Sequence, residues 1–258
     1  MSSEFSNKRI LITGGSDGVG LAVAEKAAAD FASRVDIFDR NSPKNERLVD
    51  GDRVHFHEVD ITDRSALATE LAGLNGVDIL FNNAGILRPG GLLDVEMEGL
   101  DDMLKVFILP QLLIIRTLIQ DGKMTDLGRI IQMSSAMSLD YGYPEDAKKR
   151  LRAYRLVKRF VDAMIAELRE ELGEAGSGIN IQTIHPGPIQ TAMTGGVDAT
   201  TGEVSLDYQD HMRELGWQVW HTPVEIAGEV KRLLSIPEVS SSVYDPRVKS
   251  FVLGEEED

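Results

Sequence analysis

Short apolar runs recur along the chain, with helical stretches between them. The runs are Ile10–Thr13, Val35–Phe38, Val54–Val59, Ile79–Phe81, Ile130–Met133, Ile179–Ile184 and Val248–Leu253, and each reads as a strand. Stretches 21–32, 63–74, 99–121, 150–172 and 223–235 read as helices. Strands apolar on both faces, alternating with helices, predict a parallel sheet covered on both sides. No Pro-, Gly- or Ser-rich linker divides the chain, and no internal repeat is present. The expected architecture is α/β: one doubly wound domain over residues 1–258 with a mostly parallel seven-stranded sheet. The stretch 192–222 breaks the rhythm, with Thr194-Gly195-Gly196, Thr200-Thr201-Gly202, a short helix over 206–215, Trp217 and Trp220. It follows a strand's C-terminal end, where open α/β sheets bind ligands, and reads as a substrate-lid insertion.

The punctuation between the first strand and first helix carries the first chemistry. Thr13-Gly14-Gly15-Ser16-Asp17-Gly18-Val19-Gly20 joins an apolar run to Leu21–Ala29. Gly14 suits a tight turn, Gly18 lets a diphosphate approach the backbone, and Gly20 lets helix and strand pack closely. The free N–H groups and dipole of the helix start then favour an anion. This is the phosphate cradle of a Rossmann-type fold. Strand two ends in Asp39-Arg40, at roughly the interval where such folds carry an acid for the adenosine ribose, about 20 residues on. A carboxylate there repels a 2′-phosphate and predicts NAD rather than NADP, and Asp17 pushes the same way. Arg40 is the opposing feature, because a guanidinium can bind a 2′-phosphate.

The bulk composition excludes several classes. The chain has 258 residues, a formal net charge of −15 and an acidic end, Glu255–Asp258, which reads as a solvated terminus. Nucleic acid and anionic membrane are poor partners for such a surface. No apolar run reaches the ~18 residues of a membrane span. Met1–Lys8 is polar, with no apolar signal core, so a cytoplasmic location is expected. There is no cysteine, which removes disulfides and thiol chemistry. The five histidines show no paired-ligand spacing, so no catalytic metal is expected. His185 reads as structural.

Three further motifs follow in order: Asn82-Asn83-Ala84-Gly85 after the fourth strand, Tyr154-Arg155-Leu156-Val157-Lys158 on a predicted helix, and Pro186-Gly187-Pro188-Ile189-Gln190-Thr191 after the sixth strand. With the glycine turn, they make residues 8 to 235 resemble the short-chain dehydrogenase/reductase family, in its shorter-chain branch. The resemblance implies a cofactor site of Gly14, Ser16, Asp17, Gly18, Val19, Gly20, Asp39, Arg40, Asp60, Ile61, Asn83, Ala84, Gly85, Tyr154, Lys158, Pro186, Gly187, Ile189 and Thr191. It implies catalysis by Ser135, Tyr154 and Lys158, with Ser134 the less suited serine and Ser138 a substrate neighbour.

Those residue types suit hydride-transfer chemistry. Tyr154 and Lys158 are four apart and share a helix face. A phenol titrates near 10, too high for a base at neutral pH. A nearby ammonium stabilises the phenolate and lowers that value, as does the positive oxidised nicotinamide. Tyr154 would take the proton of a secondary alcohol, or return it to the forming alkoxide of a ketone. Ser135 would hold the same oxygen.

Two departures from the family stand out. Phe107 occupies the position where the family often has an asparagine that holds relay water, and a phenyl ring supplies neither amide nor carbonyl. Proton relay then runs differently, or the helix register is shifted, with Pro110 a source of a kink. Ser135 and Tyr154 are also further apart than is usual. The extra residues, Leu139–Arg150, either rim the pocket through Tyr141 or Tyr143 or form a plain surface loop. With Met193, Tyr208, Met212, Trp217 and Trp220 in the lid, a wide apolar pocket for an aromatic or alicyclic substrate is expected, unless the tryptophans only pack the lid down. The resemblance also implies a homo-oligomer, a dimer of dimers built on helices 100–121 and 150–172. A second reading keeps Phe107 central: a non-catalytic nucleotide-binding member acting as a sensor or protein-interaction module.

Overall fold

The first strand, β1 (Arg9–Thr13), runs up the middle of the sheet, buried except at its first residue. The computed structural model describes residues 3–49, 51–139, 144–195, 210, 213, 220–237, 240–245 and 250–254. β2 (Arg34–Asp39) and β3 (Val54–Glu58) lie to one side of β1; β4 (Val77–Asn82), β5 (Met124–Met133) and β6 (Asn180–His185) lie to the other. The order is β3-β2-β1-β4-β5-β6-β7-β8, parallel from β3 to β7. The direction of winding reverses between β1 and β4, which opens a crevice at their C-terminal ends.

The sheet has eight strands, one more than expected. The addition is β7 (Ser241–Asp245), whose sequence SSVYD shows no apolar run. It is a strand because it pairs with β6 through Ser241 and with β8 (Ser250–Gly254) in a hairpin. That hairpin makes β8 antiparallel.

Helices cover both faces. On one, Val19, Val23 and Ala27 of α1 (Gly18–Ala29) meet Ile226, Val230 and Leu233 of α7 (Pro223–Leu234) over β1, β2 and β4. On the other lie α2 (Arg64–Gly73), α4 (Leu109–Gln120) and α6 (Arg152–Glu174), burying Leu67, Leu71, Ile114, Ile115, Leu118 and Ile165. Each such Leu or Ile contributes about 2 kcal/mol by burial. No helix among the described residues is long and apolar enough to cross a membrane.

The predicted 99–121 helix is two, α3 (Met97–Phe107) and α4. Pro110 lacks the N–H that would continue the ladder, and Ile108 takes the break at φ −108°, ψ −74°. A short α5 (Glu145–Arg150) precedes α6. Tyr141, Tyr143, Tyr208, Met212, Trp217, most of the 192–222 stretch and the acidic tail lie outside the described residues.

A buried carboxylate sits inside an apolar-looking strand. Asp36 of β2 is paired with Arg34 at 2.8 Å and with His57 Nε2 of β3 at 2.8 Å, while His57 Nδ1 meets Glu70 of α2 at 2.7 Å. The hydrogen bond to Asp36 raises the His57 pKa against the opposing effect of burial; Glu70 adds to the rise. A raised folded-state value means that this stabilisation is complete below the unfolded pKa of about 6.5 and is lost as pH rises through the folded one. We expect Tm to fall by about 3 °C across that window, and His57→Gln to flatten the profile, in calorimetric scans from pH 6 to 9. A Tm independent of pH in the parent would contradict this.

Candidate active site

The glycine turn is shaped by two conformations and one close approach. Gly14 and Gly18 have φ of +68° and +55°, which glycine adopts without strain. A Cβ on Gly20 would lie 2.1 Å from the Gly14 carbonyl oxygen. Asp17 caps α1, its Oδ1 accepting from Gly18 N at 2.7 Å, and its Oδ2 pairs with Lys44 at 2.9 Å. Beside the turn, Asp39 accepts from Ser16 N at 3.1 Å and from Asn41 N at 3.2 Å. The Ser16 hydroxyl donates to Asn41 O. Arg40 turns away to Asp60, 3.8 Å distant.

The Asn82–Gly85 turn is bolted to β1 and to the helix behind it. Thr13 Oγ1 accepts from Asn83 N and Ala84 N, both at 3.0 Å. The Asn83 amide donates to Thr13 O and Gly14 O at 3.1 and 2.9 Å. Beneath it, Asn82 donates to Gln132 Oε1 at 3.1 Å, Gln132 to Gln111 Oε1 at 2.8 Å, and Gln111 to Ala84 O at 3.0 Å. Sequence reading placed Thr13 in the glycine turn without this role and missed Gln111 and Gln132. Each is a polar residue on an element that pattern alone reads as apolar.

At the end of β5, Ala136 N donates to Pro186 O at 3.0 Å, which draws the Pro186–Thr191 segment alongside Ser135. Ser135 and Tyr154 of α6 both line the cavity. Burial pushes the Tyr154 phenol up to about 12; the neighbouring Ser135 hydroxyl opposes this and the Asp162 charge adds to it. One turn further on, Lys158 is buried and donates to Met133 O at 3.0 Å. Burial pulls its pKa down to about 7, and Asp162 resists. Asp162 is the feature that sequence reading passed over. Burial works to raise its pKa, but the hydrogen bonds from His185 and Ser134 hold it below the usual carboxylate value. Ser134 lies 2.5 Å from it and His185 Nε2 3.1 Å. His185 and Ser134 thus serve a carboxylate behind the site.

One cavity of about 460 Å³ joins these parts. Its walls include Gly14, Asp17, Gly18, Val19 and Asp39 towards one end. Asn83, Ala84, Gly85, Ser135, Tyr154, Lys158, Pro186, Gly187, Ile189, Thr191 and Met193 complete the predicted residues it brings together. Ser16, Gly20, Arg40, Asp60 and Ile61 do not line it. Gly20 sits behind the turn, Ile61 is buried in the core with α2, and Asp60 accepts from Thr62 at 2.8 Å. Phe107, Leu87, Pro89, Met137, Ala147 and Leu151 make the inner wall apolar. Ile189 bridges to His221. Trp220 packs on the cluster of Ala136, Met137 and Ala147. Among the described residues there is no group of three potential metal ligands.

The residues present fit a dinucleotide: one cavity is lined by an acid, by a helix N-terminus that no Cβ of Gly18 obstructs, and by a phenol and an amine. A sequence model of the short chain dehydrogenases matches residues 8–202. The chain belongs to the short-chain dehydrogenase family. It is therefore an oxidoreductase by class. Among its curated relatives is the 2,5-dichloro-2,5-cyclohexadiene-1,4-diol dehydrogenase of Sphingobium indicum, 29% identical over 207 residues, which span 76% of this chain and 79% of the relative. A 3-ketoacyl-(acyl-carrier-protein) reductase from Brucella melitensis, solved with NADH, superposes with a TM-score of 0.68 at 25% identity, covering 90% of this chain and 92% of that one. A short chain dehydrogenase from Burkholderia cenocepacia, solved with NADP, has the same fold at TM-score 0.73 and 24% identity, covering 90% and 91%.

Proposed function

We propose that this short-chain dehydrogenase is an NAD(H)-dependent enzyme that interconverts a secondary alcohol and a ketone, with Tyr154 as acid and base. The observation that carries the reading is the convergence of Ser135, Tyr154 and Lys158 on one cavity that also reaches Asp39. Bound nicotinamide would supply or accept the hydride. Gly14, Gly18, Val19, Asn83, Ile189 and Thr191 would hold the dinucleotide, and Lys158 its nicotinamide ribose. Ser135 and Tyr154 would both hydrogen-bond the substrate oxygen, so that charge developing there meets two fixed donors. In reduction, the neutral phenol is ready to deliver its proton.

Asp39 supports NAD over NADP. Its carboxylate lines the cavity and accepts from two backbone N–H groups, while Arg40 pairs with Asp60. A 2′-phosphate would face that carboxylate directly. We expect kcat/KM for NADH to exceed that for NADPH at least about tenfold, one unpaired like-charge contact being worth ~1.4 kcal/mol or more. Asp39→Ala should narrow the ratio. The measurement is cofactor consumption at 340 nm with a panel of ketones, and equal use of both cofactors would count against the role of Asp39.

The apolar inner wall supports a medium or bulky substrate, aromatic or alicyclic. The ring substrate named for the Sphingobium relative agrees with this. Met193 at the rim is half exposed and suits substrate contact, as part of a lid rooted at the Ile189–His221 bridge. Leu109 and Phe160, exposed on α4 and α6, support a homo-oligomer built on those helices. In this reading the chain is one domain and a cytoplasmic enzyme.

A further inference from the structure

A buried ammonium needs partners, and Lys158 has few that accept a proton. Among the described residues its three N–H groups meet one carbonyl, Met133 O. The Asp162 carboxylate is engaged by Ser134 and His185 and acts on the lysine at longer range. What else touches the ammonium is an aromatic face: Nζ stands 3.9 Å from the centroid of the Phe107 ring. That face carries the negative lobe of the ring quadrupole, which attracts a desolvated cation.

The ring is held in that attitude. It is 2% exposed, packed with Met103, Ala153, Val157 and Val161, and set edge-on to Tyr154 at 6.0 Å and 72°. A Cβ on Gly85 would come within 2.6 Å of Phe107 Cε1 and 2.9 Å of Cζ. The glycine of the Asn82–Gly85 turn therefore leaves the space that the ring occupies.

We propose that Phe107 is a positioning residue of the site, whose ring face holds the Lys158 ammonium charged and in place beneath Tyr154. The register is not shifted: Phe107 itself fills the space against the lysine, and the lysine is held by a π-face where a polar residue would hold it through water. The titratable groups around Lys158 are Tyr154 and Asp162 on its own helix and, through Asp162, His185 of β6; from α3 it meets Phe107. The kinetic consequences rest on the catalytic reading above, but the contact does not.

The test is a ¹³Cε titration of the full chain labelled at lysine, with Lys158 assigned by its disappearance in Lys158→Met. Replacing Phe107 by fluorinated phenylalanines weakens the ring quadrupole with little change of shape. Progressive fluorination should lower the Lys158 pKa in steps, by on the order of one pH unit at full fluorination. Phe107→Leu should lower it too, and Phe107→Tyr should keep it. A lysine titration unmoved by fluorination overturns the proposal. In the kinetic arm, the limb of the kcat/KM profile that follows Lys158 should move in parallel. A lysine that shifts in a protein that turns over no alcohol or ketone would sink the catalytic reading alone. Turnover with an unshifted lysine would sink the role of Phe107 alone.

Discussion

Tyr154→Phe will lower kcat/KM by about 10³-fold or more while leaving NADH affinity near that of the parent. Proton transfer by a placed side chain contributes 10²–10⁴-fold, and this substitution removes the proton itself. The ring remains, so its packing against the Ala136, Met137 and Ala147 cluster on one side and Phe107 on the other is kept. Ser135 keeps its place as N-cap of the next turn, its Oγ accepting from Met137 N at 3.2 Å. Loss of turnover in this variant is then loss of chemistry, and NADH fluorescence titration separates the two. Turnover close to that of the parent would remove Tyr154 from the acid–base role. The direction of reaction supplies a second reading of the same variant. With the phenol pushed up to about 12 in the free protein, reduction finds it protonated across the neutral range. Oxidation needs the phenolate, so the parent should oxidise faster as pH rises, and Tyr154→Phe should lose that rise.

The second large effect is expected at Gly20, far less conspicuous than Ser135, Tyr154 and Lys158. Gly20→Ala places a methyl 2.1 Å from the Gly14 carbonyl oxygen and 2.8 Å from the Asn83 amide. The first is backbone at the apex of the cradle, and the second is the amide that ties the cradle to the Asn82–Gly85 turn. Neither is the free end of a flexible side chain. Relief requires α1 to move away from β1, against Val19, Val23 and Ala27 in the core. Overpacking of this kind costs about 3 kcal/mol, and the displaced helix start should also lose cofactor affinity. Gly73→Ala, where nothing lies within 4 Å, is the control and should change neither. Denaturant unfolding and NADH titration measure both effects. Equal stability of the two variants would show that the cradle tolerates the methyl.

Much was legible in the order of residues because it is local. Alternating apolar runs and helical stretches gave the α/β layering, and a glycine turn between the first strand and helix marked the crevice. Asp39, Tyr154 and Lys158 were legible because their spacing along one strand end and one helix face places them without reference to the rest of the chain. β7 was not: SSVYD has no pattern of its own, and only pairing with β6 and β8 makes it a strand.

The same division runs through the site. Residue order determined the cradle, the acid at the end of β2 and the tyrosine–lysine pair, each within a few positions of backbone whose form is set by local geometry. It also showed a phenylalanine out of keeping at 107. Only the tertiary structure decided what that ring does, because a cation and a π-face 51 positions apart meet through the packing of α3 on α6. It likewise decided that Asp162 and His185 stand behind the lysine, and that Gln132 and Gln111 hold the Asn82–Gly85 turn. Contacts between distant elements depend on which faces the folded sheet brings together, and no spacing along the chain encodes that.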